Sequence, residues 1–547
     1  MSGDAPNVLL VYPRFHADSF WSLRETCESV GARYPATPLG LITVAAMLPR
    51  HWNVRLINRN AVSIEPADLD WADLVMTGGM LPQQADTLEI IDICRAAGTP
   101  VVVGGPDVTS TPHFYQAADF LVLGEAESIL DSFIEAWTSG EAHGVFEAEK
   151  FKADVTSSPV PRFDLLNFSD YLYIGVQYSR GCPFTCEFCD IIELYGRVPR
   201  TKTTPQMLAE LDALYALGHR GHVDFVDDNF IGNKKALKAF LPALIAWQQA
   251  HGYPFELSTE ASVNLADDDE LLRLMHDAHF FVVFVGLESP DTDTLVSMRK
   301  KQNTRRDLVA SVRKIYEAGI FVHAGFILGF DSEKGSVAKQ MIDYVEAASI
   351  PACMVGLLYA LPNTQLTRRL SRERRLYSGY GYNGVPIGGD QCTAGLNFAT
   401  ARARRDILGD YREVLERVYH PRAYFNRVRR VARMLGRGPK LKPRGVRITA
   451  PELLRAFRIV WHLTRRQPNL LRYFWGTLLD CARRNPTGLR AVMVTTAMYL
   501  HVGPFARRVI DQIDQQIAVI DSGAWQAPPL APDAPKVAPM VKIAAAG

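Results

Sequence analysis

The chain has few cysteines and no long apolar run, and both features limit what kind of protein it is. Its 547 residues include eight cysteines, and five of these are scattered singly, unlike the cysteines of a secreted disulfide-rich protein. The N-terminus lacks the basic and apolar segments of a secretory signal peptide. The apolar stretch at residues 491–503 is too short to span a bilayer. We therefore expect a cytoplasmic protein with reduced cysteines.

The net charge of +1 conceals a basic region near the C-terminus. Residues 401–510 contain 25 lysines and arginines but only six acidic residues, and aromatic residues are mixed with the arginines in segments of helical spacing. Two interpretations are open: a helical cap that packs on its neighbours, or a surface that docks on an anionic membrane. No RNA-binding motif accompanies the arginines, so we do not expect a nucleic-acid partner.

Two series of alternating strands and helices precede this basic region. The first has apolar, strand-like runs at residues 7–12, 54–57, 73–77, 100–103 and 119–123. Continuous apolar runs between helices predict a parallel sheet with helices on both faces. Ligands of such sheets bind beyond the carboxyl ends of the strands, where this chain has glycine-rich turns.

The second series follows a linker rich in proline and aspartate at residues 157–164. Its predicted strands are residues 173–177, 223–226, 255–259, 281–287, 321–328 and 352–359. Six such units predict a partial (β/α)6 barrel with its active site at the carboxyl ends of the strands. The fold class is therefore α/β, followed by a C-terminal helical module.

Three cysteines, Cys182, Cys186 and Cys189, form a C-x3-C-x2-C pattern just after the first strand of the second series. Each can ligate one iron of a 4Fe–4S cluster, which leaves the fourth iron open for a chelating substrate. A disulfide pair or a structural zinc site is the alternative. Zinc would need a fourth ligand, and the candidates His219 and His222 follow an intervening helical segment.

This spacing, with Phe188 before the last cysteine, resembles the signature of the radical S-adenosylmethionine (SAM) superfamily. The run from Gly325 to Gly329 also resembles the G-x-I-x-G motif beside the adenine of SAM. Each polar residue at a strand end could instead be an ordinary helix cap. Arg180 could be an electrostatic partner of the cluster or a loop charge, and we favour the interpretation as a loop charge. The SAM contacts that the resemblance implies are Phe188, Asp227, Asp228, Glu260, Glu288, Gly325, Ile327 and Gly329.

The first series resembles the cobalamin-binding Rossmann-like domain that precedes many radical SAM domains. The D-x-H-x-x-G motif of its best-known form is missing, since His16 lacks the right neighbours, so the resemblance implies cobalamin without a histidine ligand. A flavodoxin-like domain that binds a nucleotide or nothing is the alternative. The cobalamin contacts implied by TGGMLP, VVVGGP and LVLGEAE are Thr77, Gly78, Gly79, Gly104, Gly105, Gly124 and Glu125.

The order of the domains, the sequence PRFHADSFW, residues 33–49 and the arginine-rich end are most similar to the hopanoid C-2 methylase group of cobalamin-dependent radical SAM methylases. On this basis we predict five segments. They are a cobalamin-binding domain at residues 1–145, a linker at 146–170, a radical SAM barrel at 171–375, a basic helical module at 376–521 and a disordered tail at 522–547.

The resemblance implies a methyltransferase that uses a 4Fe–4S cluster, SAM and cobalamin to methylate an unactivated carbon. One SAM supplies the methyl group, and a second is cleaved at the cluster to make the radical that activates the substrate. The implied partners are a small-molecule or lipid substrate, such as a hopanoid, and an electron donor such as a flavodoxin or ferredoxin. A further expected contact is a peripheral one between the protein and the inner face of the membrane. Alternatives are action on another natural product, a rearrangement, or a cobalamin-binding sensor.

Overall fold

The computed structural model describes residues 5–16, 19–378, 391–438 and 450–531. Most of its strands belong to two parallel sheets. In chain order the strands are β1 Asn7–Tyr12, β2 Tyr34–Ala36, β3 Asn53–Asn58, β4 Leu74–Gly78, β5 Val101–Gly104, β6 Phe120–Leu123, β7 Gly144–Glu147, β8 Tyr171–Val176, β9 Ser179–Arg180, β10 Arg200–Thr201, β11 Gly221–Phe225, β12 Phe255–Glu260, β13 Phe280–Glu288, β14 Phe321–Leu328 and β15 Cys353–Leu357.

Helices connect these strands and form most of the C-terminal region that the structure describes. They are α1 Arg24–Val30, α2 Leu39–Met47, α3 Pro66–Trp71, α4 Gln84–Ala97, α5 Pro106–Ser110, α6 Leu130–Thr138, α7 Ile191–Leu194, α8 Thr204–Ala216, α9 Lys234–Ala250, α10 Asp269–Asp277, α11 Thr292–Ser297, α12 Leu308–Glu317, α13 Ala338–Ala348, α14 Gln365–Arg372, α15 Arg404–Val418, α16 Pro421–Met434, α17 Ala450–Arg466, α18 Leu471–Arg484 and α19 Leu489–Asp521.

The first sheet is six-stranded and parallel, in the order β3-β1-β4-β5-β6-β7. Its central strand β1 is buried on both faces. Val8 and Leu10 pack in the core on one side, and Leu9 and Val11 pack on the other. Successive side chains of a strand point to opposite faces, so an unbroken apolar run fits a sheet covered by helices on both sides. The predicted doubly covered sheet is confirmed.

The second sheet curls into a partial barrel with the strand order β15-β14-β13-β12-β11-β8-β2. The six predicted barrel strands are all present as β8 and β11 to β15. The seventh strand, β2, comes from the N-terminal segment and pairs in parallel with β8. Thr37, which follows β2, accepts a hydrogen bond at Oγ1 from the backbone N–H of Gly175 at 2.9 Å. The N-terminal segment is therefore part of both sheets.

The C-terminal helices cover the open side of the partial barrel. At one edge, α15 packs against α13 and β15, and at the other edge α1 lies next to β2. The long helix α19 packs against both α15 and α1, so it connects the two edges. Thr26 of α1 donates a hydrogen bond to the carbonyl of Ala497 in α19 at 2.9 Å. The helical module thereby encloses the space inside the barrel.

Part of the segment predicted to be disordered lies within the described residues. Leu530 forms a β-bridge with Tyr377, and Ser378 donates a backbone hydrogen bond to the carbonyl of Pro529 at 2.7 Å. Residues 522–531 thus run back to the end of the barrel. Residues 532–547, the rest of the predicted tail, lie outside the described residues.

Candidate active site

The loop that carries the three cysteines is held by two adjacent aspartates. Asp227 accepts hydrogen bonds from the backbone N–H groups of Tyr178, at 3.0 Å, and Ser179, and Asp228 accepts one from Gly181 at 2.8 Å. Burial raises the pKa of Asp227 to about 7 and that of Asp228 to about 6. Both carboxylates follow β11, whose carboxyl end lies beside that of β8. They shape the start of the cysteine loop.

Amide side chains point at two of the three sulfurs. Asn229 Nδ2 lies 3.8 Å from Cys182 Sγ, and Gln302 Nε2 lies 3.7 Å from Cys186 Sγ. Burial raises the pKa of Cys182 and of Cys189, so both thiols are neutral until a metal replaces their protons. Donors aimed at cysteine sulfurs are how proteins tune iron–sulfur clusters.

The described residues contain no preformed site for a single metal ion. Across the described ranges, no three His, Cys, Asp or Glu side chains already converge closely enough to hold an ion. The fit of a cluster rests on the donor set: three thiols on one loop, with amide donors beside two of them. His222 binds Ser258 Oγ at 2.6 Å, and both line the interior of the barrel, so the structure gives no support for a zinc site that combines His222 with the cysteines.

A buried ion pair lies beside the cysteine loop. Lys300 Nζ is 2.6 Å from Glu288 Oε1, and the two side chains are 10% and 8% exposed. Burial alone would lower the pKa of Lys300, but Glu288 and then Cys186 raise it, so the net shift is upward. Lys300 Nζ also lies 5.8 Å from the ring centroid of Phe188. Lys300 brings a positive charge close to the cluster loop.

The predicted SAM residues lie on the cysteine loop or toward the carboxyl ends of the barrel strands, and two of them, Phe188 and Glu288, lie beside Lys300. Phe188 packs against Phe330, with ring centroids 6.1 Å apart. Glu288 ends β13 in the left-handed region, at φ 65°, where the pairing of β13 with β14 is irregular. Gly325 and Ile327 lie on β14. Asp227 and Asp228 differ from the rest because their carboxylates accept hydrogen bonds from the backbone of the cysteine loop.

The side chain of Glu260 faces the space inside the barrel and is surrounded by protein. It ends β12 and lines the cavity described below. Burial raises its pKa to about 8, and Asp224, Asp228 and Asp227 raise it in the same direction. A carboxyl group with this pKa holds its proton near neutral pH and can donate a hydrogen bond.

Gly329, the last glycine of the G-x-I-x-G run, lies at the turn after β14. Its φ is 102°, a conformation that favours glycine. Its N–H donates to Glu333 Oε1 at 2.8 Å, and the N–H of Phe330 donates to the same oxygen at 3.2 Å. Arg402 of the helical module pairs with Glu333 at 2.9 Å. Glu333 was not predicted, although it follows the motif by four residues.

The predicted cobalamin residues line the carboxyl edge of the first sheet. Thr77 and Gly78 end β4, Gly104 ends β5, and Gly124 follows β6. A Cβ at Gly78 would lie 2.2 Å from the carbonyl oxygen of Gly104, so no side chain fits there. Gly105 and Gly124 have φ values of 96° and 91°. The edge is therefore bare backbone, as close approach by a large flat ligand requires.

Two of these predicted residues have their polar groups occupied. Thr77 donates its hydroxyl to the carbonyl of Val11 at 2.9 Å. Glu125 is 3.2 Å from Arg180 and 2.9 Å from Arg200 in two ion pairs. A Cβ added at Gly79 would lie 2.8 Å from Gln83 Oε1. Glu125 faces the barrel, where its ion pairs are with Arg180 at the start of the cysteine loop and with Arg200 of β10.

The carboxyl edges of the two sheets face each other. Arg180, two residues before Cys182, pairs with Glu127 at 2.6 Å, and Asn363 of the barrel donates to the carbonyl of Ser110 at 2.9 Å. The interpretation of Arg180 as a loop charge is wrong, because its guanidinium bridges the two domains and is mostly buried. Sequence could not pair it with a carboxylate 53 residues away.

The space inside the barrel is a partly open cavity of about 1990 Å³, here called the lumen. Ligand pockets for drug-sized molecules span about 300–1,000 Å³, so the lumen has room for a large substrate. It extends from Glu260 and Phe284 near the strand ends to helices α17 and α19. Aromatic and thioether side chains make up much of its wall, including Phe20, Trp21, Phe281, Met354, Met493 and Met498.

A small polar group interrupts this apolar wall. His222 Nε2 lies 2.6 Å from Ser258 Oγ, and Ser258 also donates to Asp224. Burial lowers the pKa of His222 to about 3 and raises that of Asp224 to about 6. All three residues are on the inner faces of β11 and β12. They give the lumen a hydrogen-bonding site in addition to Glu260.

Comparison with known protein families matches three models in the same order as the domains. A B12 binding domain matches residues 30–134, the radical SAM superfamily matches residues 176–345, and a domain of unknown function (DUF4070) matches residues 364–515. An uncharacterized methyltransferase of Synechocystis is 42% identical over 93% of this chain and 94% of its own length. The chain belongs to the cobalamin-dependent radical SAM methyltransferases.

A second relative, the hopanoid C-2 methylase of Rhodopseudomonas palustris, is 37% identical over 77% of this chain and 78% of its own length. Among solved structures, the radical SAM methyltransferase TsrM of Kitasatospora setae, with cobalamin and a 4Fe–4S cluster bound, covers 68% of this chain and 78% of TsrM with a TM-score of 0.54 and 16% identity. The cobalamin-dependent enzyme OxsB covers 95% of this chain and 81% of OxsB with a TM-score of 0.56 and 16% identity. These two structures share the fold.

Family membership confirms the cofactors predicted from the motifs: a 4Fe–4S cluster, SAM and cobalamin. It also favours an enzyme over the alternative of a cobalamin-binding sensor. In the parts of the chain that the structure describes, no helix combines the length and the apolar character needed to cross a membrane.

Proposed function

We propose that this methyltransferase methylates an unactivated carbon of a hopanoid lipid, at the C-2 position. The observation that carries the proposal is the lumen, which is large, rich in aromatic and thioether side chains, and bordered by Glu260 at the strand ends. A rigid apolar polycycle needs such a space. The 37% identical hopanoid C-2 methylase supports the same substrate class.

In this proposal, Cys182, Cys186 and Cys189 hold the cluster, and the G-x-I-x-G run with Phe188, Glu260 and Glu288 lines the SAM site. When bound, the cluster and SAM would supply the radical, and cobalamin would carry the methyl group. The chain itself contributes the placement of the reacting groups. Asp227 and Asp228 shape the cysteine loop, and the helices around the lumen exclude water from a reactive carbon.

The glycine-rich edge of the first sheet would receive cobalamin. Gly78, Gly104, Gly105 and Gly124 leave its backbone open, and Glu125 would act indirectly because its carboxylate is paired with Arg180 and Arg200. We further propose that a small redox protein, a flavodoxin or a ferredoxin, supplies the electrons. The cysteine loop is within electrostatic reach of Lys300, whose charge favours reduction of a cluster bound there.

Expression in a host that makes hopanoids without a methyl group at C-2 tests the substrate. The host is fed methionine with a trideuterated methyl group, and its lipids are analysed by mass spectrometry. We expect a hopanoid that carries one deuterated methyl group, and none from a variant in which the three loop cysteines are alanine. A deuterated product of another lipid class would contradict the hopanoid assignment but keep the methyltransferase. An isomerised, unlabelled product would indicate a rearrangement instead.

A further inference from the structure

Helix α17 exposes an apolar stripe to solvent. Leu453, Leu454, Phe457 and Trp461 are 58%, 52%, 64% and 55% exposed. These positions fall within about one third of the helix circumference at 100° per residue. Surface helices normally turn polar residues outward, and a continuous exposed apolar patch marks an interaction site.

The stripe is not the face by which α17 packs on the protein. That role belongs to Ile459 and Leu463, which are buried on the opposite side of the helix. Phe457 and Trp461 stack on each other instead, with ring centroids 6.3 Å apart. The helix therefore has two apolar faces, one used for packing and one turned outward.

Arginines lie along one flank of the stripe. Residues 450–466 contain four arginines and a single acidic residue, Glu452. Arg465 lies over the ring of Trp461 at 5.2 Å. Arg458 and Arg466 are anchored to the N-terminal segment, through the carbonyl of Val30 and the carboxylate of Glu28, each at 3.0 Å. Cationic residues beside exposed Trp, Phe and Leu are typical of helices that lie in the headgroup region of an anionic membrane.

The same helix forms part of the lumen wall. Leu453, Leu454 and Arg455 line the lumen and are also exposed at the surface, so they lie at its mouth. Phe457 and Trp461 continue the stripe one and two turns farther along α17, outside the lumen. Apolar side chains of α17 thus occur both on the outer surface of the helix and in the wall of the lumen.

We propose that the outer face of α17, formed by Leu453, Leu454, Phe457 and Trp461, docks on an anionic lipid bilayer and opens the lumen toward it. A lipid substrate could then pass from the bilayer into the lumen without crossing water. The passage of substrate rests on the proposed function, whereas docking stands on the helix alone. The occupant is a membrane because the stripe combines aromatic side chains with a flank of arginines.

Co-sedimentation with vesicles tests the docking. The vesicles are phosphatidylglycerol with phosphatidylcholine, or phosphatidylcholine alone, and contain no hopanoid. We expect stronger binding to the anionic vesicles, weakened by salt, and an affinity at least tenfold lower for F457Q/W461Q. The single change Arg465→Gln should weaken binding about fivefold, the effect of one basic residue near an anionic surface. Phe457 and Trp461 do not line the lumen, so neither change alters the substrate site.

The matched control is L217Q/V519Q, which replaces apolar side chains of similar exposure, 47% and 46%, elsewhere on the protein. Melting temperature and cobalamin absorbance verify that each variant is folded and loaded. Binding of F457Q/W461Q equal to that of the unmodified protein, equal affinity for neutral and anionic vesicles, or no binding at all would each overturn the docking proposal.

A second assay separates docking from substrate identity. Methylation is measured with a hopanoid embedded in anionic vesicles and with the same hopanoid in cyclodextrin. We expect F457Q/W461Q to be slower only on vesicles, and an equal loss in both assays would contradict docking. If the unmodified enzyme methylates neither form, the hopanoid proposal fails, while vesicle binding still decides the docking.

Discussion

Arg180 and Glu127 form a bidentate ion pair between the cysteine loop and the first sheet. The two guanidinium nitrogens of Arg180 lie 2.6 and 2.9 Å from the two carboxylate oxygens of Glu127. The side chains are 14% and 3% exposed, so solvent screens the pair little. Arg180 precedes Cys182 by two residues, and Glu127 follows β6. The pair therefore sets the separation between the two cofactor loops.

The variant Glu127→Gln should uncouple SAM cleavage from methylation. The neutral amide keeps the shape of the carboxylate but not its charge, and Arg180 retains only Glu125. We expect 5′-deoxyadenosine to form at a rate within about twofold of normal while methylated product falls about tenfold or more, since small misplacement of reacting groups costs such factors. Both products are quantified by mass spectrometry in one reaction.

The exposed ion pair of Arg162 and Asp164 provides the control. Its side chains are 39% and 49% exposed, and surface pairs contribute little to stability. Asp164→Asn should therefore leave the ratio of the two products unchanged. If the ratio of 5′-deoxyadenosine to methylated product were also unchanged in Glu127→Gln, the Arg180 pair would not be what holds the two cofactors at the correct separation.

Replacement of Cys182, Cys186 or Cys189 by alanine should abolish SAM cleavage but leave cobalamin bound, because the two sites lie on different sheets. Iron content and electron paramagnetic resonance report on the cluster, and absorbance reports on bound cobalamin, all on one anaerobic sample. The buried Cys27, Cys94, Cys353, Cys392 and Cys481 are the controls, and serine or alanine there should preserve the cluster. Formation of 5′-deoxyadenosine by the triple variant would contradict the assignment.

Cobalt should have no histidine ligand. The loop after β1 lacks the D-x-H-x-x-G pattern, and His16 donates its backbone N–H to the carbonyl of Pro82 at 3.1 Å. Electron paramagnetic resonance of the protein with cob(II)alamin should show no hyperfine splitting from an axial nitrogen. Splitting that is lost in His16→Ala would identify His16 as the ligand and overturn this prediction.

Loss of one partner of the Lys300–Glu288 pair should destabilise the protein more than loss of both. Lys300→Met leaves a buried, unpaired carboxylate, which costs about 3–5 kcal/mol, whereas a well-packed apolar pair can be nearly neutral. We expect K300M to lower the free energy of unfolding by this amount and K300M/E288L to recover most of it, as measured in urea on protein without cofactors. Additive losses in the double variant would show that the two residues are not coupled.

The same lysine should tune the cluster. K300M removes a positive charge near Cys186, so the reduction potential of a bound cluster should become more negative. A redox titration followed by electron paramagnetic resonance measures the shift, with K300R as the conservative variant that keeps the charge. An unchanged potential in K300M would show that Lys300 is purely structural.

The strands and the cysteine loop were predictable because their signals are local. Buried parallel strands are unbroken apolar runs, and the three thiols need only their spacing. Strand β2 was missed because three residues that include Pro35 carry no strand signal, and proline is disfavoured inside strands. Its place depends on β8, which lies far along the chain.

Roles that depend on distant partners could not be predicted. Lys300 is one of three consecutive cationic residues, Arg299 to Lys301, and nothing in that run shows that only one of them meets Glu288. Asp227 and Asp228 were predicted to contact SAM, but their orientation depends on the backbone of the cysteine loop. The exposure of the apolar stripe on α17 also could not be predicted, because it depends on tertiary packing. A helical pattern alone does not show which of two apolar faces is packed.

The position of β2 has a consequence for biosynthesis. Thr37 leaves the ribosome 138 residues before Gly175, its hydrogen-bonding partner, and the helices that pack against α1 emerge later still. Strand β2 must therefore wait, unpaired, until β8 emerges, while the first sheet around it can already form, although domains generally fold as units during synthesis. One strand of the barrel is thus translated within the stretch that forms the first sheet, so a piece of this chain that begins after the first sheet lacks one strand of the barrel.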